Sequence, residues 1–163
     1  MIQTISCLLF MITASLSYQE DLYINIALFH EIELHLLQDD NPSRYLNSIR
    51  DSQALREYPF NMIAKLQDTP QSPQHHPEGN VWNHTLLVVD EAAKVKAKSK
   101  DQKALMLAAL LHDIGKPPTT KTRKGRIISY DHDKSGAVLC EEFLNCFSVD
   151  KALIKAVTAL VRY

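Results

Sequence analysis

Apolar residues along this chain recur at the three-to-four-residue spacing of helices and almost nowhere alternate as a half-buried strand requires. The pattern predicts an all-α protein. Residues 1–19, "MIQTISCLLFMITASLSYQ", carry no charged side chain, yet no Lys or Arg precedes Arg44 and no A-x-A cleavage pattern follows. Gln3, Thr4, Ser6, Thr13, Ser15 and Ser17 interrupt the stretch too often for a membrane span, so it reads as a packed helix rather than a signal or anchor. A second helix is expected over about 20–38, with Leu22, Ile26, Phe29, Leu36 and Leu37 on or near one face, ended by Asp39-Asp40-Asn41-Pro42. His30 and His35, five apart, do not share a helical face and read as solvent or core-edge residues.

From 42 to 80 the pattern gives way to turn formers, with Pro42, Pro59, Pro70, Pro73 and Pro77 in one connector. Short helices are expected there at Ser43–Ser48 and Gln53–Gln67. The helical period then returns. "VWNHTLLVVDEAAKVKAKSK" places Leu87, Val88 and Ala92 on one stripe and ends in lysines suited to the negative end of the helix dipole. "DQKALMLAALLHDIG" begins at the candidate cap Asp101 and is expected to end at Gly115 in a left-handed conformation, with Pro117 and Pro118 preventing continuation. "DHDKSGAVLCEEFLNCF" and "SVDKALIKAVTALVRY" complete the set, the latter with Leu153, Ile154, Val157, Leu160 and Val161 at helical spacing. Gly136 inside a helix weakens it, which close helix packing would offset.

Composition narrows the class. A chain of 163 residues is about one domain, long enough to bury a core without disulfide staples. A net charge of -1 supplies no global field for nucleic acid or an anionic membrane, so any nucleotide has to be held locally. Cys7, Cys140 and Cys146 have no metal-site spacing and read as reduced thiols without a disulfide partner, in a cytoplasmic protein that does not engage a membrane. There are no internal repeats.

The chemistry concentrates around "LAALLHDIGKPPTT". Adjacent side chains diverge by about 100° within a helix. At the last turn, with Gly115 releasing the backbone, His112 and Asp113 can face one point as a metal-ligand or proton-transfer pair. His84, opening another apolar helix, is the best candidate for a third ligand, and His132 is a fourth inward-facing possibility. Lys116 supplies a cation for a phosphate oxygen. The His-Asp dipeptide alone is weak evidence, since a dipole-bound helix-terminal histidine explains it better; the assembly with His84 and "YDHDKSGA" is what carries weight. His75-His76, in a proline-bounded loop, reads as a rim more than as ligands. Trp82 reads as a core anchor. The basic run "KTRKGR", Lys121 to Arg126, is either a solvated loop or a grip for phosphates.

"NHTLLVVDEAA", "AALLHDIGKPPTT" and "YDHDKSGA", in this order, resemble the HD domain superfamily of metal-dependent phosphohydrolases. "PQSPQHHPEGNVWNHTLLVVDEA" resembles more narrowly the HD domain attached to bacterial tRNA nucleotidyltransferases of the multifunctional CCA type. The resemblance implies a helical-bundle HD domain over 42–163, with residues 1–41 as an N-terminal helical extension. It also implies that His84, His112 and Asp113 ligate a divalent metal, one of Mg, Mn, Ni, Fe, Co or Zn, and that Lys116 and His132 contact substrate. Arg126 is expected to assist in binding. Catalytic roles are expected for Asp113, Lys116 and His132. The implied activity is phosphatase or phosphodiesterase action on nucleotides, 2′,3′-cyclic phosphates or RNA-end phosphates.

Two departures matter. Nothing in these residues resembles the nucleotidyltransferase head with its glycine-rich strand-turn and paired aspartates, so synthesis of the tRNA tail is not expected of this chain. The family also closes its metal site with an Asp on a later helix, and none of Asp131, Asp133, Glu141, Glu142 or Asp150 stands where that ligand is expected. Either the chain is truncated at its C-terminus or the site is incomplete. The second case makes it a degenerate HD domain that binds nucleotide or RNA, or serves as a helical interaction module, without catalysis.

Overall fold

The computed structural model describes residue 19 and residues 22–163 of the chain. The helix expected over 1–19 lies, apart from residue 19, outside the described residues, as does Cys7. Residues 22–38 form α1, which buries Phe29, Ile32 and Leu36 and leaves Leu22 exposed. Its charged flank is fastened too: Glu33 is buried against Lys103 Nζ at 2.7 Å, and Lys96 Nζ donates to the carbonyls of Leu36 and Asp39 at the helix's C-terminal end. A cation on free carbonyls satisfies acceptors that the last helical turn leaves open.

The connector holds more breaks than its spacing predicts. After α2 (Ser43–Ile49), the helix expected over Gln53–Gln67 divides into α3 (Gln53–Arg56), α4 (Asn61–Ala64) and a 3-10 turn (Lys65–Asp68). Pro59, which lacks an N–H and follows a cis peptide bond, stands between them. Ser43 fixes α2 to the next long helix, its N–H and Oγ donating to the Asp90 carboxylate at 3.0 and 2.6 Å.

Four helices then build the bundle: α5 (Val81–Val95), α6 (Gln102–Leu111), α8 (His132–Asn145) and α9 (Lys151–Val161). α5 packs on α6, α6 on α9, and α9 on α8. Side-chain caps start three of them, from Asn80, Asp101 and Asp150. α6 is buried nearly all round, from Ala104 to Leu111, and contributes most of its length to the apolar cluster of the described residues. Phe29 of α1 stacks on Phe147 at 4.2 Å between ring centres, so α1 and the turn after α8 share that cluster. Trp82 is buried in it, as expected.

Four local expectations are corrected. The buried stripe of α5 is Val81, Trp82, Thr85, Val89, Ala92 and Ala93, which leaves Leu87 exposed and Val88 half-buried. The apolar residues of α5 outnumber one face, and contact with α6 selects among them. Likewise α9 buries Ile154, Val157 and Val161 but exposes Leu160. Gly115 is right-handed, with φ of -83°; α6 stops before the two prolines, at Leu111, and a short separate helix α7 (Lys116–Thr119) carries both of them in its first turn. Finally, an all-helical pattern gave no hint of the two-stranded hairpin β1 (Lys121–Arg123) and β2 (Arg126–Ile128), too short to display a period. Apart from this hairpin, the regular secondary structure of the described residues is helical. No helix among the described residues is long and apolar enough to cross a membrane.

Candidate metal centre

Gly115 is needed for proximity, not for handedness. A Cβ there would lie 2.0 Å from the His132 carbonyl oxygen and 2.4 Å from the Gly136 N, so a side chain would push α8 away. Gly136 answers it from the other side, with its own added Cβ 3.4 Å from Gly115 N and 3.3 Å from Val161 Cγ1. This pair of glycines brings the start of α8 against the turn that carries Asp113.

Asp113 is the hub. Its side chain is 3% exposed, and three histidines from three helices approach its two oxygens through Nε2: His112 at 3.2 Å, His84 at 3.9 Å and His132 at 3.8 Å. Each histidine has its other nitrogen engaged. Nδ1 of His112 meets the Ala109 carbonyl at 2.9 Å, and Nδ1 of His132 the Ser129 carbonyl at 2.7 Å. A carbonyl can only accept, so in the neutral rings Nδ1 carries the hydrogen and Nε2 the lone pair. His84 Nδ1 lies 2.7 Å from Glu78 Oε1, the carboxylate–histidine arrangement that orients a metal-binding imidazole.

Lone pairs converging on a carboxylate repel one another unless a cation lies among them. Ligand atoms of His84, His112 and Asp113 all fall within 4.8 Å of one another. His112 Nε2 and Asp113 Oδ2 are also buried without a hydrogen-bond partner. Two orphaned, electron-rich atoms side by side fit a divalent ion, and a set of two imidazoles and one carboxylate suits a borderline transition metal with open positions. Lys116 supplies positive charge nearby: its Nζ sits 2.7 Å from Asp113 Oδ2, an ion pair without hydrogen-bond alignment, and donates to Gln71 Oε1 at 2.6 Å.

These charges govern ionisation. Burial works to raise the Asp113 carboxyl, and the His112 imidazole and Lys116 ammonium outweigh it, leaving it at about 2. Burial lowers His84, with Glu78 opposing, which favours the neutral, metal-competent ring. Glu78 itself is held below the usual carboxylate range, first by a backbone hydrogen bond and then by His76 and His84.

Five of the six residues singled out from the sequence, His84, His112, Asp113, Lys116 and His132, thus surround one point. Arg126 does not join them and lies exposed on the hairpin. Glu78 and Gln71 were not anticipated, because a lone acid and a lone amide in a proline-rich connector carry no periodic or spacing signal. His76 stands behind Glu78, its Nδ1 3.0 Å from the same Oε1. His76, Glu78 and His84 form a second group of metal-type ligands, although Glu78 already occupies the Nδ1 atoms of both rings.

Residues 81–163, which contain all five, match the HD domain family. The chain belongs to the HD domain family. HD domains form a superfamily of metal-dependent phosphohydrolases with a helical fold, and the bundle here is of that class. Among curated proteins, this HD domain is similar to the multifunctional CCA protein of Actinobacillus pleuropneumoniae serotype 5b, with 36% identity over 110 residues, covering 68% of this chain and 26% of that protein. The multifunctional CCA protein of Methylococcus capsulatus is 30% identical over 131 residues, 78% of this chain and 28% of its own. That of Halorhodospira halophila is 39% identical over 83 residues, 51% and 19%. The chain therefore spans about a quarter of the length of the curated relatives it matches. No solved structure matches it.

Proposed function

We propose that this HD domain is a divalent-metal-dependent phosphohydrolase acting on nucleotides, 2′,3′-cyclic phosphates or RNA-end phosphates. One observation carries the reading: three ligand atoms of His84, His112 and Asp113 lie within 4.8 Å of one another, with His112 Nε2 and Asp113 Oδ2 buried and without a hydrogen-bond partner. Those three residues would hold the ion. A bound divalent cation supplies Lewis-acid polarisation of a phosphoryl oxygen and lowers the pKa of water towards neutrality.

The remaining work belongs to the chain's own side chains. Asp113, ionised at any physiological pH, accepts hydrogen bonds and fixes the orientation of an attacking water. Lys116, on a short helix beside it, exchanges its contact with Asp113 for a phosphate oxygen and offsets charge that develops there. His132, half-exposed at the mouth, hydrogen-bonds a phosphate through Nε2 while Ser129 fixes its ring. Glu78 and Gln71 position His84 and Lys116 respectively. Arg126 lies further out and contacts a longer substrate only. The resemblance to the HD domain attached to bacterial tRNA nucleotidyltransferases brings tRNA into view as the source of a phosphate-bearing end.

The test is hydrolysis of a panel of 2′,3′-cyclic nucleotides, nucleoside monophosphates and simple phosphodiesters by protein loaded in turn with Mg, Mn, Ni, Fe, Co or Zn, with a chelator control. Calorimetric metal titration of the same protein and of Asp113→Ala accompanies it. Stoichiometric binding and turnover that both vanish in Asp113→Ala support the proposal; folded protein that neither binds metal nor turns over any ester overturns it. A second reading, an HD domain that binds nucleotide or RNA without catalysis, has its own observation. Among the described residues, Asp113 is the only carboxylate in the group with His84 and His112. Metal and nucleotide binding without turnover would establish that reading.

A further inference from the structure

The hairpin between α7 and α8 carries Lys121, Arg123, Lys124 and Arg126, all exposed. None of them makes an ion pair among the described residues, and the next acid in sequence, Asp131, is bound to Lys134 at 2.7 Å. The register sets Arg123 directly opposite Arg126. Like charges across a ladder destabilise it. The turn adds to that: Lys124 and Gly125 both have positive φ, 51° and 73°, a geometry that favours Asn-Gly and resists a lysine at the first place. Two local costs concentrate positive charge on an element that covers no core, in a chain whose net charge is -1.

The hairpin is also wired to the candidate centre. Thr120 Oγ1 and Ser129 Oγ meet at 2.7 Å across its base, and the Ser129 carbonyl accepts from His132, whose Nε2 faces Asp113. Between Ser129 and Asp131 stands Tyr130, 70% exposed. A basic ribbon, then an exposed aromatic, then a phosphate-directed histidine is the order in which a strand's backbone, a base and its terminal phosphate would be met. Unselective single-strand binding combines such a positively charged track with aromatic stacking.

We infer that the β1–β2 hairpin and Tyr130 bind a single-stranded nucleic acid, the cations contacting successive phosphates and Tyr130 stacking one base, with the strand's end directed to His132 and Asp113. The direction of the strand rests on the hydrolase reading above; the binding surface does not. An anionic membrane fits less well, because the hairpin tip is Lys-Gly with no exposed apolar side chain to insert.

The experiment is equilibrium binding of fluorescent twelve-nucleotide single-stranded RNA and DNA to the full chain in chelator, titrated with salt, alongside anionic vesicles. Each phosphate contact to a single strand contributes about 0.7 to the slope of log affinity against log salt. The triple substitution Lys121→Gln, Arg123→Gln, Arg126→Gln is expected to lower that slope by about 2. Lys124→Asn, which suits the turn better and cannot fold worse on its account, is expected to lower it by about 0.7. Tyr130→Ala is expected to weaken binding roughly tenfold to a hundredfold at unchanged slope, and Tyr130→Trp to restore it. Preference for RNA supports recognition of the 2′-hydroxyl, and equal binding of DNA supports a backbone-only surface.

No oligonucleotide binding at low salt, salt slopes equal in all variants, or hairpin-dependent binding of vesicles alone overturns the inference. Hydrolysis of small esters by the unmodified protein is scored separately. Turnover without hairpin-dependent strand binding refutes this surface and leaves the hydrolase reading standing, while strand binding without turnover does the reverse.

Discussion

Asp113 holds its charge because His112 and Lys116 outweigh the cost of burying it, and that balance makes stability depend on pH. A carboxyl lowered from 3.8 to about 2 binds fewer protons folded than unfolded, so its contribution is present above pH 4 and is lost as pH falls towards 2. The lost stability is on the order of 2 kcal/mol. In metal-free protein, urea midpoints measured from pH 5 to pH 2 should fall more steeply for the unmodified chain than for Asp113→Asn; parallel curves would show the carboxylate to be energetically silent. Cys140 gives a second, opposite case. Burial pushes its thiol up to about 12, so in a Cys7→Ser background a native-state alkylating reagent at pH 8 should label Cys146 and leave Cys140 unmodified until the protein unfolds.

Elements are joined by one close approach at the centre and by a cap on α5, each of which makes a prediction. Gly115→Ala drives a methyl group into the His132 carbonyl and the Gly136 N, so α8 must shift. We expect a loss of about 1–3 kcal/mol of stability, and a larger proportional loss of ester turnover than of fold, because His132 and Asp113 separate. Rate assays and thermal unfolding on the same sample would read both; unchanged turnover in folded protein would contradict the packing account. Asn80 links the connector to α5: Oδ1 accepts from Asn83 N, and Nδ2 donates to the Gln67 carbonyl at 2.6 Å. Asn80→Ala should cost about 1–2 kcal/mol, more than Asp101→Ala, whose side chain makes the cap bond alone.

Across the whole molecule one apolar cluster joins α1 to the bundle, although the HD match begins only at Val81. Phe29, Ile32 and Leu36 are buried against residues as distant as Phe143 and Phe147. Phe29→Ala removes a stacked ring from a filled core and should cost about 3–5 kcal/mol. Removal of residues 1–41 should expose that face and broaden or abolish cooperative unfolding, as followed by calorimetry. If instead 42–163 unfolds with an unaltered midpoint, the extension contributes nothing to the core despite its burial.

Helical spacing in the sequence determined the secondary structure, since a 3.6-residue apolar period fits nothing else, and chemistry at the helix ends picked out His84, His112, Asp113, Lys116 and His132. The resemblance to HD domains added the roles these residues take. What the period left open was which of several apolar faces turns inward: α5 carries apolar residues on more than one side, and only packing against α6 buries Val89 rather than Leu87. The hairpin was illegible because three-residue strands have no period, and its cations read equally as a solvated loop or a grip for phosphates. Glu78 and Gln71 were illegible for a related reason. Orienting a histidine or a lysine is a relation between residues far apart in the chain or on different elements, and only the tertiary structure brings Gln71 to Lys116, Glu78 to His84, and three imidazoles to one carboxylate. Local sequence fixes local conformation, whereas convergence on a point is decided by packing.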